Sequence, residues 1–324
     1  MSHGQRNAAL LGSDIMTSKQ PRDMPASVRA RLLNVAKLNN EAFDLVLVRF
    51  AIERLLYRLS QSQYRERFVV KGATMFQIWS NLRHRPTRDL DLLGTGEPDV
   101  DSFVEIFRGL CVQEVENDGL VFVADSVSAT KMKEDEEYEG IRMKFDAFLG
   151  SARIPVQVDI GFGDAITPSS QLIVFPTVLD LPAPQLQSYP RETVVAEKFQ
   201  AMVMLGIANS RMKDFFDLFT LCTQFEFEGE LVRRAINATF ERRKTSIPTT
   251  LPLALTTDFS EDKQKSLQWN AFLRKSNLNS NELTLSEITA RLANFLMPPA
   301  EAASQGRQLG KYWRPSDGWI EGGE

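Results

Sequence analysis

The N-terminal part of the chain changes from an irregular pattern to a helical one. Residues 1–23 are polar and show no apolar periodicity, so we expect a flexible leader. From 26 to 60, apolar residues recur at the i, i+3, i+4, i+7 spacing of an amphipathic helix, most regularly over 43–51. The polar pair Asn39-Asn40 interrupts this pattern, which therefore predicts two helices or one helix that is broken there.

The chain then alternates short β-branched apolar runs with further helical pattern. Strands are predicted at 68–70, 90–93, 120–130, 141–148 and 156–162, and helices at 74–82 and 100–113. We expect Pro155 and the turn Gly161-Phe162-Gly163 to bound the last strand. This order predicts an α+β (α/β) core over 24–175, in which helices pack on a small mixed sheet.

The second half of the chain is predicted to be a helical domain over 176–300. Three prolines, Pro182, Pro184 and Pro190, interrupt the segment 176–190, where we place the domain boundary. Helical periodicity follows at 192–206, 210–225, 229–243, 261–276 and 284–296. The tail, 301–324, contains Trp313 and Trp319, and because exposed tryptophans are unfavourable we expect this tail to dock against the protein.

Composition restricts the chemistry that the chain can perform. The 324 residues have a net charge of −4, and no apolar run is long enough to cross a membrane. Cys111 and Cys222 lie in apolar stretches and are expected to be buried free thiols of a reducing, cytoplasmic compartment. With His3 and His84 as its two histidines, the chain cannot form a His-rich zinc site. We therefore expect chemistry based on carboxylates, lysines and a hard metal ion.

The segment Arg88-Asp89-Leu90-Asp91-Leu92 is the first candidate site. Two carboxylates at i and i+2 of a strand point to the same face, where like charges are unfavourable unless a cation neutralises them. Mg²⁺ binds in this way, through one or two carboxylates and the phosphates of a substrate. The alternative is a strand end with two solvated aspartates.

A glycine turn precedes this pair and forms the second candidate. Gly72-Ala73-Thr74 follows a predicted strand and opens a predicted helix, so that backbone N–H groups are available to a phosphate. Thr74 is either an N-cap or a phosphate ligand, and Lys71 lies beside it. An ordinary tight turn before a helix explains the same residues.

Two later positions extend the candidate site. If the strand of Asp159 neighbours that of Asp91, a third carboxylate joins the pair as in two-metal sites; otherwise Asp159 caps the turn that follows it. Lys198 lies on the apolar face of a predicted helix, and the short connection to the next helix places it within reach of Asp214. The alternative on that next helix is an exposed Lys213–Asp217 pair.

Taken together, these segments resemble the AbiEii/AbiGii toxin family of nucleotidyltransferases over roughly 25–300. The matching pieces are 68–74, 85–94, 138–142, 156–164, 192–199 and 210–217. The resemblance implies a nucleotidyltransferase fold with a helical C-terminal part. It also implies transfer of a nucleoside monophosphate from an NTP with Mg²⁺ or Mn²⁺. In such systems a separate antitoxin is encoded nearby, the function is defence against phage, and some members modify the 3′ end of tRNA.

The resemblance also assigns roles to residues of this chain. Asp89 and Asp91 would bind the metal, with Asp159 as the third carboxylate of nucleotidyltransferases in general. Lys198 would contact phosphate, and Asp214 would be a further polar residue that activity requires. The residues expected to bind the nucleotide phosphates are Lys71, Gly72, Ala73, Thr74 and Arg88.

Ala73 departs from the family, which often has Gly or Ser there, and a serine hydroxyl contact is thereby lost. This departure favours a second hypothesis, a nucleotide-binding module without transfer. A third is nucleic-acid binding without catalysis, through Arg83, Arg85, Arg88 and the basic residues of 233–244, although such runs are typical of solvated faces. A protein side chain remains an alternative acceptor to RNA.

Overall fold

A computed structural model describes residues 23–79, 85–135, 138–278 and 283–322. Nearly all of the expected leader, together with Arg83 and His84, therefore lies outside the described residues. The described chain contains ten α-helices and eleven strands, besides short 3-10 turns. None of the described helices combines the length and the apolar character needed to cross a bilayer.

Along the chain, helices alternate with strands in the first half, and most of the second half is helical. They are α1 (Met24–Leu38), α2 (Phe43–Gln61), α3 (Phe76–Trp79), α4 (Val100–Cys111), α5 (Arg191–Leu205), α6 (Met212–Gln224), α7 (Gly229–Arg242), α8 (Thr257–Ser260), α9 (Lys263–Lys275) and α10 (Leu285–Ser304). The two N-terminal helices are as predicted. The predicted helix at 74–82 begins as a 3-10 turn at 72–75 and continues as α3.

The strands form one curled mixed sheet and one small antiparallel sheet. They are β1 (Phe68–Lys71), β2 (Asp89–Gly94), β3 (Leu120–Phe122), β4 (Ser128–Asp135), β5 (Tyr138–Leu149), β6 (Ala152–Phe162), β7 (Gln171–Val174), β8 (Gln185–Ser188), β9 (Phe227–Glu228), β10 (Lys311–Arg314) and β11 (Gly318–Glu321). The large sheet has the order β3-β5-β6-β2-β1-β8-β7, with β4 on β5, and the small sheet has the order β11-β10-β9. The predicted fold class, a mixed sheet with packed helices followed by a helical part, is confirmed.

The centre of the large sheet determines where the candidate residues point. β2 pairs in parallel with β6, which places Asp89 beside Gln157 and Asp91 beside Asp159. The alternate residues Leu90, Leu92, Val158 and Ile160 are buried in the core that α1, α2 and α4 cover. Because successive strand residues point to opposite faces, the aspartates of β2 and β6 share the other face.

Several strand predictions need correction. The stretch 120–130 is interrupted by a 3-10 turn between β3 and β4. Pro155 does not bound β6 but lies inside it, paired with Asp146 of β5. A proline is tolerated there because the pairing with β2 starts only at Gln157, so that no ladder hydrogen bond is lost on that side. β7 and β8 were not predicted, and β8 pairs with β1 although it lies in the expected linker.

The C-terminal half has its own core. The predicted helices correspond to α5, α6, α7, α9 and α10, and their buried side chains form a second cluster. α10 continues through Pro298-Pro299 to Ser304, since Ala300, Ala302 and Ala303 are buried at its end. In the tail, the Trp313 indole N–H donates to the Cys222 carbonyl at 2.7 Å and that of Trp319 to the Phe295 carbonyl at 3.0 Å. Cys222 and Cys111 are buried free thiols, as predicted.

Candidate active site

Asp89 and Asp91 stand at the edge of a cleft and are held by their immediate neighbours. The Thr87 hydroxyl donates to Asp89 Oδ1 at 2.6 Å, which orients that carboxylate. Gly72, in the turn after β1, lies against Asp91: a Cβ built on this glycine would be 2.6 Å from the Asp91 carboxylate carbon. Gly72 also has a φ of 74°, in the left-handed region that favours glycine. The turn is therefore built to let its backbone approach the carboxylate.

The two carboxylates have the electrostatics of a cation site. Burial and the nearby negative charge of Asp89 raise the pKa of Asp91 to about 6, against the attraction of Lys71 and Lys213. Such a shift means that the charged form of Asp91 lacks a sufficient positive partner within the protein. Carboxylate oxygens are the ligands that Mg²⁺ and Mn²⁺ prefer, and two of them suffice when substrate phosphates complete the coordination. Asp89 and Asp91 thus fit a divalent cation.

Asp159 lies beside Asp91 in the sheet but has another partner. Arg142 of β5 donates to its two carboxylate oxygens, from Nε at 2.8 Å and from Nη2 at 2.7 Å. The Gln157 amide also lies 3.3 Å from each oxygen. Across the described ranges, no group of three or more His, Cys, Asp or Glu side chains is arranged to hold a metal ion. The role of Asp159 as a metal ligand stays a prediction.

The opposite wall of the cleft is formed by α5 and α6. The Lys198 ammonium contacts Asp214 at 2.5 Å, which is the contact that the helix spacing suggested, and Asp217 at 2.9 Å. Asp217 is not half of an exposed pair with Lys213, because it is fully buried and also accepts two hydrogen bonds from Arg85, at 2.7 and 2.8 Å. Lys213 itself is exposed and has no ion pair within the described part of the chain.

These contacts fix the charge of the basic groups. Burial disfavours the charged form of Lys198, but Asp214 and Asp217 outweigh it and raise the pKa of this lysine. Burial likewise opposes the charge of Arg85, yet Asp217 raises its pKa. Both groups therefore stay cationic at the cleft over the whole physiological pH range.

Lys71 belongs to a second network at the base of the cleft. Its ammonium contacts Asp164 at 2.7 Å and Glu197 at 3.7 Å. Arg243 contacts the other oxygen of Asp164 at 2.9 Å. Burial raises the pKa of Glu197 to about 7, although the positive charge of Lys71 favours the ionised carboxylate and so opposes the shift. Lys71 is thus largely neutralised by acidic side chains, and its direct contact with a phosphate stays a prediction.

The cleft between the two walls has a volume of about 240 Å³. Most of the residues predicted for the site line it together, namely Lys71, Gly72, Ala73, Asp89, Asp91, Asp159, Lys198 and Asp214. Two do not. Thr74 is buried, and within the described residues its hydroxyl has no hydrogen-bond partner. Arg88 contacts Asp44 at 2.6 Å and lines a different cleft, described below.

Several polar residues that were not predicted to bind the metal or the nucleotide also lie at the site. These are Arg85, Thr87, Arg142, Glu197, Arg211, Lys213 and Arg243. Arg85 and Thr87 lie in the segment that leads to the aspartate pair, and Glu197 lies next to Lys198, so proximity in sequence could have indicated these three. Arg142 comes from a distant element, and nothing local indicated it. Arg243 belongs to the basic run 233–244, which was assigned only to the hypothesis of nucleic-acid binding.

Comparison of the chain with known proteins identifies its family. A family model described as "Nucleotidyl transferase AbiEii toxin, Type IV TA system" matches residues 54–294. A Helicobacter pylori structure described as a candidate nucleotidyltransferase is 14% identical, with a TM-score of 0.45 over 85% of this chain and 96% of that one. JHP933 from Helicobacter pylori is also 14% identical, with a TM-score of 0.42 over 85% of this chain and 93% of that one. No curated protein matches the chain.

Proposed function

Since the chain belongs to the AbiEii family of nucleotidyl transferase toxins, we propose that it transfers a nucleoside monophosphate from an NTP to an RNA acceptor, the 3′ end of tRNA. The reaction would depend on Mg²⁺ or Mn²⁺. The family is that of type IV toxin–antitoxin systems, which implies a nucleotide substrate and a cognate antitoxin. We further propose that the antitoxin is encoded nearby and that the toxin acts in the cytoplasm, in defence against phage.

The observation that supports this proposal is the charge arrangement across the cleft. Asp89 and Asp91 form one wall, and Lys198 and Lys213 form the other. A triphosphate needs both: oxygen ligands for the cation that accompanies it, and fixed positive charges for its phosphates. The cleft provides both: Asp89 and Asp91 on one wall, and on the other the exposed Lys213 beside Lys198, which Asp214 and Asp217 hold in place.

Each group has a distinct role in this proposal. Asp89 and Asp91 would hold the divalent cation, which when bound neutralises charge on the phosphates and activates the attacking oxygen. The turn at Gly72 and Ala73 presents backbone to the phosphates. Lys198, positioned by Asp214, stabilises the negative charge that develops on the leaving pyrophosphate, and Lys213 adds a second cation.

The experiment is to incubate the full chain with each α-³²P-labelled NTP, Mg²⁺ and total tRNA. Label is expected in tRNA with one preferred nucleotide, and omission of Mg²⁺ should abolish it. Label in the protein band alone would identify a protein acceptor instead. The absence of label from both would overturn the transfer reaction.

A nucleotide-binding module without transfer is the second candidate. Two observations favour it: Ala73 supplies no hydroxyl to the phosphate turn, and the ammonium groups of Lys71 and Lys198 are already engaged by carboxylates. Tight Mg²⁺-dependent NTP binding without pyrophosphate release would support this candidate. RNA binding that depends steeply on salt and needs no NTP would support a third, nucleic-acid binding without catalysis.

A further inference from the structure

A second and larger cleft opens directly beside the candidate active site. Its volume is about 530 Å³, within the range of about 300–1,000 Å³ that is typical of ligand pockets. It lies between the start of α2, the 3-10 turn after β3 and the strands β4, β5 and β6. Among the residues that the structure describes, Asp89 alone lines both clefts.

The sheet register shows how the two clefts are arranged. Asp91 and Asp159 are paired neighbours and line the first cleft, whereas Asp89 is paired with Gln157, which lines the second. On β5, Arg142 is opposite Asp159 and lines the first cleft, and Lys144 is opposite Gln157 and lines the second. Asp89, Gln157 and Lys144 therefore lie on the same face of the sheet as Asp91, Asp159 and Arg142, one step further along the strands. The offset is two residues, or about 6.6 Å. The rest of the second cleft extends past the end of β2 to the core residues Val48, Phe145 and Val156.

This arrangement matches the geometry of phosphoryl transfer. The attacking and leaving oxygens lie roughly in line, on opposite sides of the transferred phosphorus. In the proposed function the leaving pyrophosphate lies in the first cleft, among Lys198, Lys213 and the turn at Gly72. The attacking hydroxyl must then approach the phosphorus from the opposite direction, which is the second cleft beyond Asp89. We propose that the second cleft binds the terminal nucleoside of the acceptor RNA. The inference rests on the proposed function and adds the place of the acceptor to it.

The lining of the second cleft suits a nucleic-acid end. Its apolar lining comes from the exposed Pro155 and from the accessible edges of the core residues Val48, Phe145 and Val156, which offer a base an apolar contact. Positive charge comes from Arg88, Lys144 and Arg153. Arg153 is paired with Asp146 at 3.0 Å, whereas the Lys144 ammonium has no ion pair among the described residues. Arg88 is paired with Asp44 at 2.6 Å, so that Lys144 is the cation that stays available without breaking an ion pair. This positive charge favours a phosphate backbone over a neutral or basic peptide segment.

The test compares two double variants that each remove two positive charges. Lys144→Ala/Arg153→Ala changes the second cleft. Lys263→Ala/Arg108→Ala is the matched control: Lys263 is an exposed lysine of α9, and Arg108 of α4 is exposed and paired with Glu105 at 2.8 Å, much as Arg153 is with Asp146. For each protein we would measure the KM for tRNA, the KM for the NTP, and the salt dependence of binding to fluorescein-labelled tRNA.

The cleft variant should raise the KM for tRNA by roughly tenfold or more and leave the KM for the NTP within about twofold of wild type. The slope of log K against log salt should fall by about 1 to 2, as expected for the loss of two phosphate contacts. The control should change none of these values. An unchanged KM for tRNA in an active cleft variant would overturn the inference and leave the proposed function standing. Transfer to protein alone, or no transfer by wild type, would overturn the proposed function and the inference with it.

Discussion

A Cβ atom on Gly72 would lie 2.6 Å from the carboxylate carbon of Asp91, so the turn after β1 and the centre of β2 can approach this closely only because the turn residue is glycine. The phosphate turn and the proposed metal ligand thus form one unit. Any side chain at this position displaces Asp91, the proposed metal ligand.

Gly72→Ala should therefore abolish transfer and also lower the stability of the fold. Displacement of a reacting group by about 1 Å lowers rates by about 100-fold, and the left-handed φ adds about 1 kcal/mol of strain. Gly306→Ala is the matched control, because Gly306 has a similar φ of 64° and nothing within 4 Å of its Cβ position. Chemical denaturation should show the loss caused by the left-handed φ in both variants and an additional loss from the clash with Asp91 in Gly72→Ala, whereas label transfer should be lost only in Gly72→Ala. Equal activity in both would contradict the role given to this contact.

Thr87 should affect the rate of transfer without affecting NTP binding. Its hydroxyl donates to Asp89 Oδ1 at 2.6 Å, and Thr87→Val removes that hydrogen bond while keeping the shape of the side chain. We expect kcat to fall by roughly tenfold, corresponding to the net value of one hydrogen bond to a charged group, with little change in the KM for the NTP. Thr87→Ser, which keeps the hydroxyl, should restore most of the rate. If the serine and valine variants are equally slow, the hydroxyl is not what positions Asp89.

The bidentate pair of Arg85 and Asp217 should stabilise the packing of the segment before β2, which carries Asp89 and Asp91, against α6. Both side chains are largely buried, at 10% and 0% exposure. Removing one partner of a buried pair costs about 3–5 kcal/mol, so Arg85→Met should lower the free energy of unfolding by a large amount. Lys198 would still contact Asp217 and would limit the loss.

A double-mutant cycle with Asp217→Asn gives the measurement. Urea unfolding of the two single variants and of the double variant should show a favourable coupling energy of at least about 1 kcal/mol. Additive effects would mean that Arg85 and Asp217 are stabilised by other neighbours and do not stabilise the packing of this segment against α6.

Glu53 on α2 should make stability depend on pH. Its carboxylate forms an ion pair with the Arg54 side chain at 3.0 Å and accepts a hydrogen bond from the Val178 backbone N–H at 2.5 Å. Burial nevertheless raises its pKa from 4.5 to about 7. A pKa that is higher in the folded state stabilises the protein below the unfolded pKa, and this contribution is lost as the pH rises through the folded value.

The free energy of unfolding of wild type minus that of Glu53→Gln should consequently fall between about pH 4.5 and 7. At 1.36 kcal/mol per pKa unit, the total fall is roughly 3 kcal/mol. Thermal or urea unfolding at several pH values measures this difference and cancels the titration of the other groups. A difference that rises with pH would show that Arg54 stabilises the ionised carboxylate more strongly than burial disfavours it.

Local patterns were sufficient for the elements that hold the catalytic candidates. The run Phe68 to Val70, the alternation through Asp89 and Asp91, and the helical periodicity around Lys198 each predict their element correctly. The contact between Lys198 and Asp214 also follows from sequence, because a short connection between antiparallel helices fixes the offset of their residues. In these places the local propensity and the tertiary structure agree.

The remaining features depend on contacts between distant segments. β8 has a single fully buried apolar side chain, Leu186, between polar residues. It becomes a strand because β7 pairs with it along its length and β1 offers an edge at Ser188. Arg85 and Asp217 are 132 positions apart, so their pairing cannot be read from spacing. Arg142 likewise reaches Asp159 only because β5 and β6 form a hairpin. Such pairs depend on how distant elements are arranged. The sequence pattern predicts the fold class but not that arrangement.

The central claim is that Asp89 and Asp91 support nucleotidyl transfer. The most direct measurement is the transfer of α-³²P label from an NTP to tRNA by wild type and by Asp89→Asn/Asp91→Asn, with Asp101→Asn, an exposed aspartate of α4, as the control. The account predicts label in tRNA with wild type and the control, and a loss of at least about 1,000-fold with the double variant, on the scale of removing a main electrostatic stabiliser. Transfer by the double variant at the wild-type rate would contradict it.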